Sequence, residues 1–202
     1  MPMFPLGTVL VPSLALPLHV FEPRYRALVR DCLAGDRELG VVLIERGSEV
    51  GGDDTRTDVG TVAQIVHAAE LPDGRFALAT VGIRRIRVET WLPDDPYPIA
   101  AVEDWPDPPP QPGWEARLDA VVGELRRALG MSAEAGDVAA PATIELSDDP
   151  VLAGYQAVAV APISTLDQQR LLAASSPEDR LDGLAASLAD AVDLLALRLA
   201  GG

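Results

Sequence analysis

The sequence predicts an α+β protein in which a β-rich first half precedes a helical second half. In the first half, apolar runs of strand length alternate with turn residues, as at 39–44 and on either side of Pro72-Asp73-Gly74. In the second half, apolar residues recur at three- and four-residue spacing. Five of the eight residues at 106–113 are proline, and so dense a proline segment cannot pair inside a sheet. We therefore predict a semi-rigid linker there, between a unit at 1–105 and a unit at 114–202.

The opening of the chain is predicted to form two short apolar strands that lead directly into a helix. Each strand contains a proline, Pro5 in the first and Pro17 in the second. Pro23 suits the first turn of a helix, because the N–H that it lacks would have no partner there. The helix is expected at about 23–34, with Gly35 at its end. Its buried face should carry Tyr25, Leu28, Val29 and Cys32.

The middle of the chain is predicted to be mostly strand. Residues 39–44 form a continuous apolar run, which is typical of a strand buried on both faces. Residues 46–58 are acidic and contain glycine, and we expect a solvated, mobile hairpin loop. A calcium loop is disfavoured, because the EF-hand pattern requires a glutamate at its twelfth position and a helix on each side.

Three arginines fall close together in the strand predicted at 80–88. Strand alternation places Arg85 and Arg87 on one face with Ile83, and Arg84 on the other face with Ile86 and Val88. Such a cluster could bind an anion or RNA. No aromatic residues are interleaved with it, however, and the chain is acidic. We therefore expect exposed arginines that pair with nearby carboxylates.

The second half is predicted to contain four helices. The first should end at Gly130 and be followed by a loop at 131–149, and the second should occupy 151–161 before Pro162. Ser164 and Ser176 are predicted N-caps of the last two helices. The apolar stripe of the first helix comprises Trp114, Leu118, Val121, Val122, Leu125 and Leu129, and that of the last comprises Leu181, Leu184, Leu188, Leu195 and Leu199. Packing within the unit explains the last stripe better than a dimer seam does, because no sustained heptad is present.

Composition and charge disfavour several function classes. The formal net charge of −15 opposes binding to nucleic acid and to anionic membranes. The single cysteine cannot form an intrachain disulfide, which indicates a cytoplasmic protein. Residues 1–21 carry no charged side chain, but they contain four prolines and lack a basic start. A signal peptide or membrane span is therefore disfavoured.

The opening and five later segments, in order along most of the chain, resemble the N-terminal substrate-binding domain of Lon proteases. The opening contains prolines and ends in Phe21-Glu22-Pro23-Arg24-Tyr25. The later segments lie at 59–65, 71–75, 80–88, 98–103 and 162–172. The resemblance implies a PUA-like curled β-barrel lobe followed by a C-terminal bundle of α-helices.

The resemblance also implies a binding function. In the Lon family this module engages substrate polypeptides, so unfolded or degron-bearing chains are the expected partners. An adaptor or scaffold linked to a separate protease is the alternative, and RNA binding through the PUA-like barrel is less favoured. The expected contact residues are Leu18, Phe21, Glu22, Arg24 and Tyr25. Core packing is an alternative role for Phe21 and Tyr25, and a local ion pair is one for Glu22 and Arg24.

Catalysis is not expected from this sequence. The chain has 16 basic residues, and all of them are arginine. A phosphate-binding loop needs its lysine to reach the β- and γ-phosphates, and a Ser-Lys peptidase needs its lysine as the base. The two histidines, His19 and His67, lie in predicted strands without the spacing of a metal site. We therefore expect a non-catalytic protein without a cofactor or metal.

Overall fold

The computed structural model describes residues 1–46 and 55–201. They form two compact units, Met1–Pro106 and Asp107–Gly202. The first unit contains six strands and one helix in its described part, and the second contains four helices, in agreement with the predicted α+β class.

The first unit is built around one sheet. Its elements are β1 Met3–Leu6, β2 Ala15–Val20, α1 Pro23–Ala34, β3 Glu38–Arg46, β4 Thr55–Glu70, β5 Phe76–Leu92 and β6 Ile99–Asp104. The predicted loop at 46–58 is shorter than expected, because Arg46 still belongs to β3 and residues 55–58 belong to β4. The rest of that predicted loop lies outside the described residues.

The sheet curls into the expected barrel because β5 is long enough to serve two partners. The strand order is β1-β3-β4-β5-β2, and β6 also pairs with β5. The first part of β5 pairs with β2 and its last part with β6, both antiparallel. β1 runs parallel to β3. A bridge between Pro2 and Ile99, with a 2.8 Å bond from Met3 N to Pro98 O, then joins β1 to β6 and closes the ring.

A close approach at Gly82 positions the segment that precedes β2. The Gly82 carbonyl accepts a bond from Ser13 N at 2.7 Å, and Gly82 N donates to Leu14 O at 2.9 Å. A Cβ atom at this position would lie 2.5 Å from the carbonyl oxygen of Val11. Only glycine lets the 10–14 segment lie this close to β5, and β2 enters the sheet directly after it.

The second unit consists of α2 Trp114–Glu134, α3 Pro150–Val160, α4 Thr165–Leu172 and α5 Pro177–Gly201. The predicted end of α2 at Gly130 is wrong. The helix continues through Gly130, because Leu129 and Ser132 on either side of it are buried and their packing outweighs the low helix propensity of one glycine. The predicted caps are confirmed: Ser164 Oγ accepts from Asp167 N at 3.1 Å, and Ser176 Oγ accepts from Asp179 N at 3.0 Å.

The proline-rich segment contributes to the interior of the second unit. The carboxylate of Asp107 lies 2.7 Å from the guanidinium of Arg180, and both side chains are buried. Arg180 also donates to the Tyr155 hydroxyl and to the carbonyl of Leu171. Farther along, Gln111 N donates to Glu178 at 2.6 Å. The segment is therefore held by the start of α5.

None of the described helices is both long enough and apolar enough to cross a lipid bilayer.

Candidate functional site

A cavity of about 170 Å³ opens in the first unit between β1, β2 and the start of α1. β1 and β2 are the two strands at the ends of the sheet order, so the cavity lies where that order begins and ends. Its lining combines apolar and polar groups and consists of Phe4, Leu6, Pro17, Leu18, His19, Phe21, Glu22 and Tyr25.

Four of the five residues that the sequence singles out lie on this cavity: Leu18, Phe21, Glu22 and Tyr25. The fifth, Arg24, lies beside it, with its guanidinium 4.5 Å from the centre of the Tyr25 ring. The five come together because β2 passes into α1 with only Phe21 and Glu22 between them.

Phe21 and Tyr25 have opposite environments. Tyr25 is 4% exposed and stacks on Phe4, with ring centroids 4.3 Å apart. Phe21 is 57% exposed. Core packing, the alternative role given for both, therefore describes Tyr25 but not Phe21. Phe21 thus contributes exposed apolar surface beside the cavity.

Glu22 and Arg24 form the local ion pair that the sequence suggested. Arg24 Nε donates to Glu22 Oε2 at 3.1 Å, and both side chains are only partly exposed. Glu22 is also the N-cap residue of α1, although its side chain makes no capping bond. The pair places two opposite charges together at the edge of the cavity.

Sequence reasoning missed four of the residues that line the cavity: Phe4, Leu6, Pro17 and His19. Strand alternation could have identified Pro17 and His19. Leu18 and Val20 are the buried members of β2, so Pro17 and His19 lie on its exposed face. Phe4 and Leu6 could not have been identified in this way, because only the order of the strands in the folded sheet brings β1 to the cavity.

The arginine cluster on β5 is the second candidate site. Arg84 contacts Glu38 at 2.7 Å and Asp104 at 2.8 Å, and the hydrogen bonds with Glu38 raise the pKa of its guanidinium. Arg87 lies 3.9 Å from Glu103. These two match the expected pairing of arginines with carboxylates.

Arg85 contradicts the prediction that all three arginines are exposed. It is 2% exposed, and its guanidinium lies 4.2 Å from the centre of the Trp105 ring. Trp105 follows β6 and also contacts Arg87, at 4.1 Å. An aromatic residue does accompany the cluster, then, but it reaches β5 from the neighbouring strand and covers Arg85.

Metal-binding side chains do not cluster in the part of the chain that the structure describes. Among those residues, no group of three His, Cys, Asp or Glu side chains could hold a metal ion. Cys32 is buried in α1, and its Sγ donates to the carbonyl of Glu38 at 3.2 Å. Burial, with Asp36 and Asp31 nearby, raises the pKa of this thiol to about 12. Cys32 is therefore a protonated, packed side chain.

Comparison with known proteins gives the family. The profile described as the ATP-dependent protease La (LON) substrate-binding domain matches residues 1–190. Lon protease 2 of Herpetosiphon aurantiacus is 30% identical over 201 residues, which are 98% of this chain and 24% of that protein. Lon protease of Dictyoglomus thermophilum is 35% identical over 104 residues, 51% of this chain and 13% of that protein. The chain thus spans about a quarter or less of the length of these relatives.

Solved structures show the same fold. A Lon N-terminal domain protein from Xanthomonas campestris superposes with a TM-score of 0.67 at 28% identity, covering 92% of this chain and 96% of that one. The N-terminal domain of Mycobacterium avium complex Lon protease superposes with a TM-score of 0.69 at 16% identity, covering 94% and 97%. The curled sheet, the helical second unit and the match over residues 1–190 lead to one conclusion: this chain belongs to the LON substrate-binding domain family.

Proposed function

We propose that this protein is a non-catalytic module that binds unfolded or degron-bearing polypeptides at the surface formed by Leu18, Phe21, Glu22, Arg24 and Tyr25. The observation that carries the proposal is the exposed ring of Phe21 beside this cavity, in a family described by its binding of substrate.

The size of the cavity suits one apolar side chain. An apolar cavity of about 150 Å³ accommodates a benzene molecule, and this one measures about 170 Å³. A leucine or phenylalanine of the client would fill it and also cover Phe21. Burying an aromatic side chain stabilises a complex by about 1.5–3 kcal/mol, so one such anchor supports weak, reversible binding.

Charge supports a client that is not strongly acidic. Residues 1–106 contain ten arginines and sixteen acidic residues, a net charge of minus six. Two arginines of the β5 cluster already lie close to carboxylates. The proposal therefore includes neither nucleic acid nor an anionic membrane among the partners, and it assigns the protein to the cytoplasm.

The proposal can be tested with a lysozyme pair that separates folding state from charge. Reduced, carboxamidomethylated lysozyme is unfolded and basic, while native lysozyme has nearly the same charge but is folded. We expect fluorescence anisotropy to show binding of the labelled unfolded form only. Equal binding of both forms would mean that charge drives association, and no binding of the unfolded form would contradict the proposal.

The cavity is tested by Phe21→Ala. We expect this change to weaken binding of the unfolded lysozyme about tenfold, since a buried aromatic anchor contributes at least about 1.4 kcal/mol. Val66→Ala is the matched control, because Val66 is also 57% exposed but lies on β4 outside the cavity lining. Equal affinities of the two variants would locate the binding surface elsewhere.

A further inference from the structure

We infer that the client polypeptide binds as an added strand along the free edge of β2, with one of its apolar side chains in the cavity. This inference rests on the proposed function and specifies how the same site holds its ligand. The protein would then recognise the backbone of the client as well as one of its side chains.

The direction of the β2 backbone groups follows from the hydrogen bonds around β5. Gly82 N donates to Leu14 O at 2.9 Å, so residue 14 faces β5. In the hairpin, Leu71 N donates to Arg75 O at 2.8 Å, so residue 75 faces β4. Because successive residues of a strand direct their N–H and C=O groups to opposite sides, both bonds give the same alternation.

This alternation divides the residues of β2 into two sets. Leu16, Leu18 and Val20 pair with Thr80, Leu78 and Phe76 and direct their backbone groups toward β5. Ala15, Pro17 and His19 direct theirs to the opposite side. The position of Pro17 agrees, since a proline in a sheet is tolerated where its missing N–H would face away from the ladder.

The outer side of β2 is open among the described strands, because β2 is the last strand in the sheet order. It presents the N–H and C=O groups of His19 and Ala15 and the carbonyl of Pro17. Such an edge is a template for another strand. Pro17 removes one donor and so limits the ladder to a short segment centred on His19.

The edge and the cavity are continuous. Pro17 and His19, whose backbone groups point away from β5, both line the cavity. The side chain of His19 is also exposed. β1, on the other side of the cavity, offers less: Met3 N is bonded to Pro98 O, and Pro5 has no N–H. A strand entering this space is therefore expected to pair with β2.

Recognition of this kind would admit many client sequences. Backbone bonds are the same for every sequence, so they favour any extended segment and exclude segments that are folded. The cavity adds one requirement, an apolar side chain at one position. A folded protein presents few such segments, and an unfolded one presents many.

The test compares His19→Pro with His19→Ala, using the same labelled unfolded lysozyme. Proline removes the outward N–H of residue 19 without removing a bond to β5, whereas alanine removes the side chain and keeps the N–H. We expect His19→Pro to weaken binding about five- to tenfold, which corresponds to one lost hydrogen bond, and His19→Ala to bind within twofold of the unchanged protein. Equal affinity of both variants, or equal weakening, would overturn the inference.

Amide hydrogen exchange of the unchanged protein tests the added strand directly, and this test does not require that His19→Pro folds. Bound client should slow exchange at the His19 amide, while the amides of Leu18 and Val20 are already protected by β5. Unchanged exchange at His19 in the bound state would overturn the inference. If Phe21→Ala still weakened binding in that case, the cavity would stand without the added strand. Failure of the unfolded lysozyme to bind at all would instead refute the proposed function, and the inference with it.

Discussion

The two units of this protein differ in the exposure of a large apolar side chain and of a charged one. The first unit leaves the aromatic ring of Phe21 57% exposed beside a cavity. The second unit buries the charged guanidinium of Arg180 completely, and two of its three nitrogens donate to Asp107, to Tyr155 and to the carbonyl of Leu171. When a ligand covers an exposed apolar side chain, the burial of that surface stabilises the complex. A buried charge is strongly destabilising once its partner is removed, so its contacts stabilise the fold. The difference fits the proposal that Phe21 takes part in binding, and it shows that Arg180 contributes to the interior of the second unit.

The buried ion pair should give the largest effect on stability. In Asp107→Ala, the guanidinium of Arg180 stays buried without its carboxylate, and we expect a loss of about 3–5 kcal/mol in the free energy of unfolding of the second unit. Asp182→Ala is the control, because the bond of Asp182 to Arg117 at 2.5 Å is exposed to solvent and its loss should cost no more than about 1 kcal/mol. Urea titration measures both. Equal losses would mean that the buried pair has no special role.

Tyr25 and Phe21 both line the cavity, but they should contribute very differently to the stability of the first unit. Tyr25→Ala removes a buried ring stacked on Phe4, and we expect a loss on the order of 3 kcal/mol in the free energy of unfolding of the first unit. Phe21→Ala should change that free energy by less than about 0.5 kcal/mol, because the ring is exposed. Thermal unfolding checks the two variants. A large loss of stability in Phe21→Ala would make Phe21 a packing residue and weaken the case for a binding surface.

Gly82→Ala tests whether the 10–14 segment positions β2. The added methyl would lie 2.5 Å from Val11 O, and displacing that backbone should cost about 1–3 kcal/mol and weaken binding of unfolded lysozyme. Gly123→Ala in α2 meets no atom within 4 Å and should stabilise the second unit by up to about 1 kcal/mol through helix propensity. If Gly82→Ala lost stability but bound normally, the placement of β2 would not depend on this contact.

At Cys32 an effect on the pH dependence of stability is expected, and only at alkaline pH. Folding raises the pKa of its thiol from 9.0 to about 12, so the folded state disfavours the thiolate. The stability that this shift contributes is complete below pH 9 and is lost as the pH rises from about 9 toward 12. Cys32→Ala should therefore lose less stability than the unchanged protein over that range, as measured by urea titration at several pH values. Parallel pH profiles of the two proteins would contradict this.

Local patterns predicted most of the elements because their signals are short-range. Pro23 and Gly35 mark the ends of α1, and the hydroxyls of Ser164 and Ser176 form the caps expected of them. The five residues proposed for binding lie close together in the structure because they are near one another in sequence. Gly130 was misread as a helix end, since its neighbours are held by packing that a local pattern does not contain.

The sequence by itself determined the α+β class, the order of the elements, the acidic charge and the resemblance to one family, because these depend on composition and on residues close together in the chain. Only the tertiary structure decided that Phe21 is exposed while Tyr25 is buried, that Arg85 lies under Trp105, and that Asp107 neutralises Arg180. It also decided that Phe4 and His19 meet at one cavity. Each of these depends on which strands and helices become neighbours, and that choice is made by the whole folded chain through burial and pairing between residues far apart in sequence.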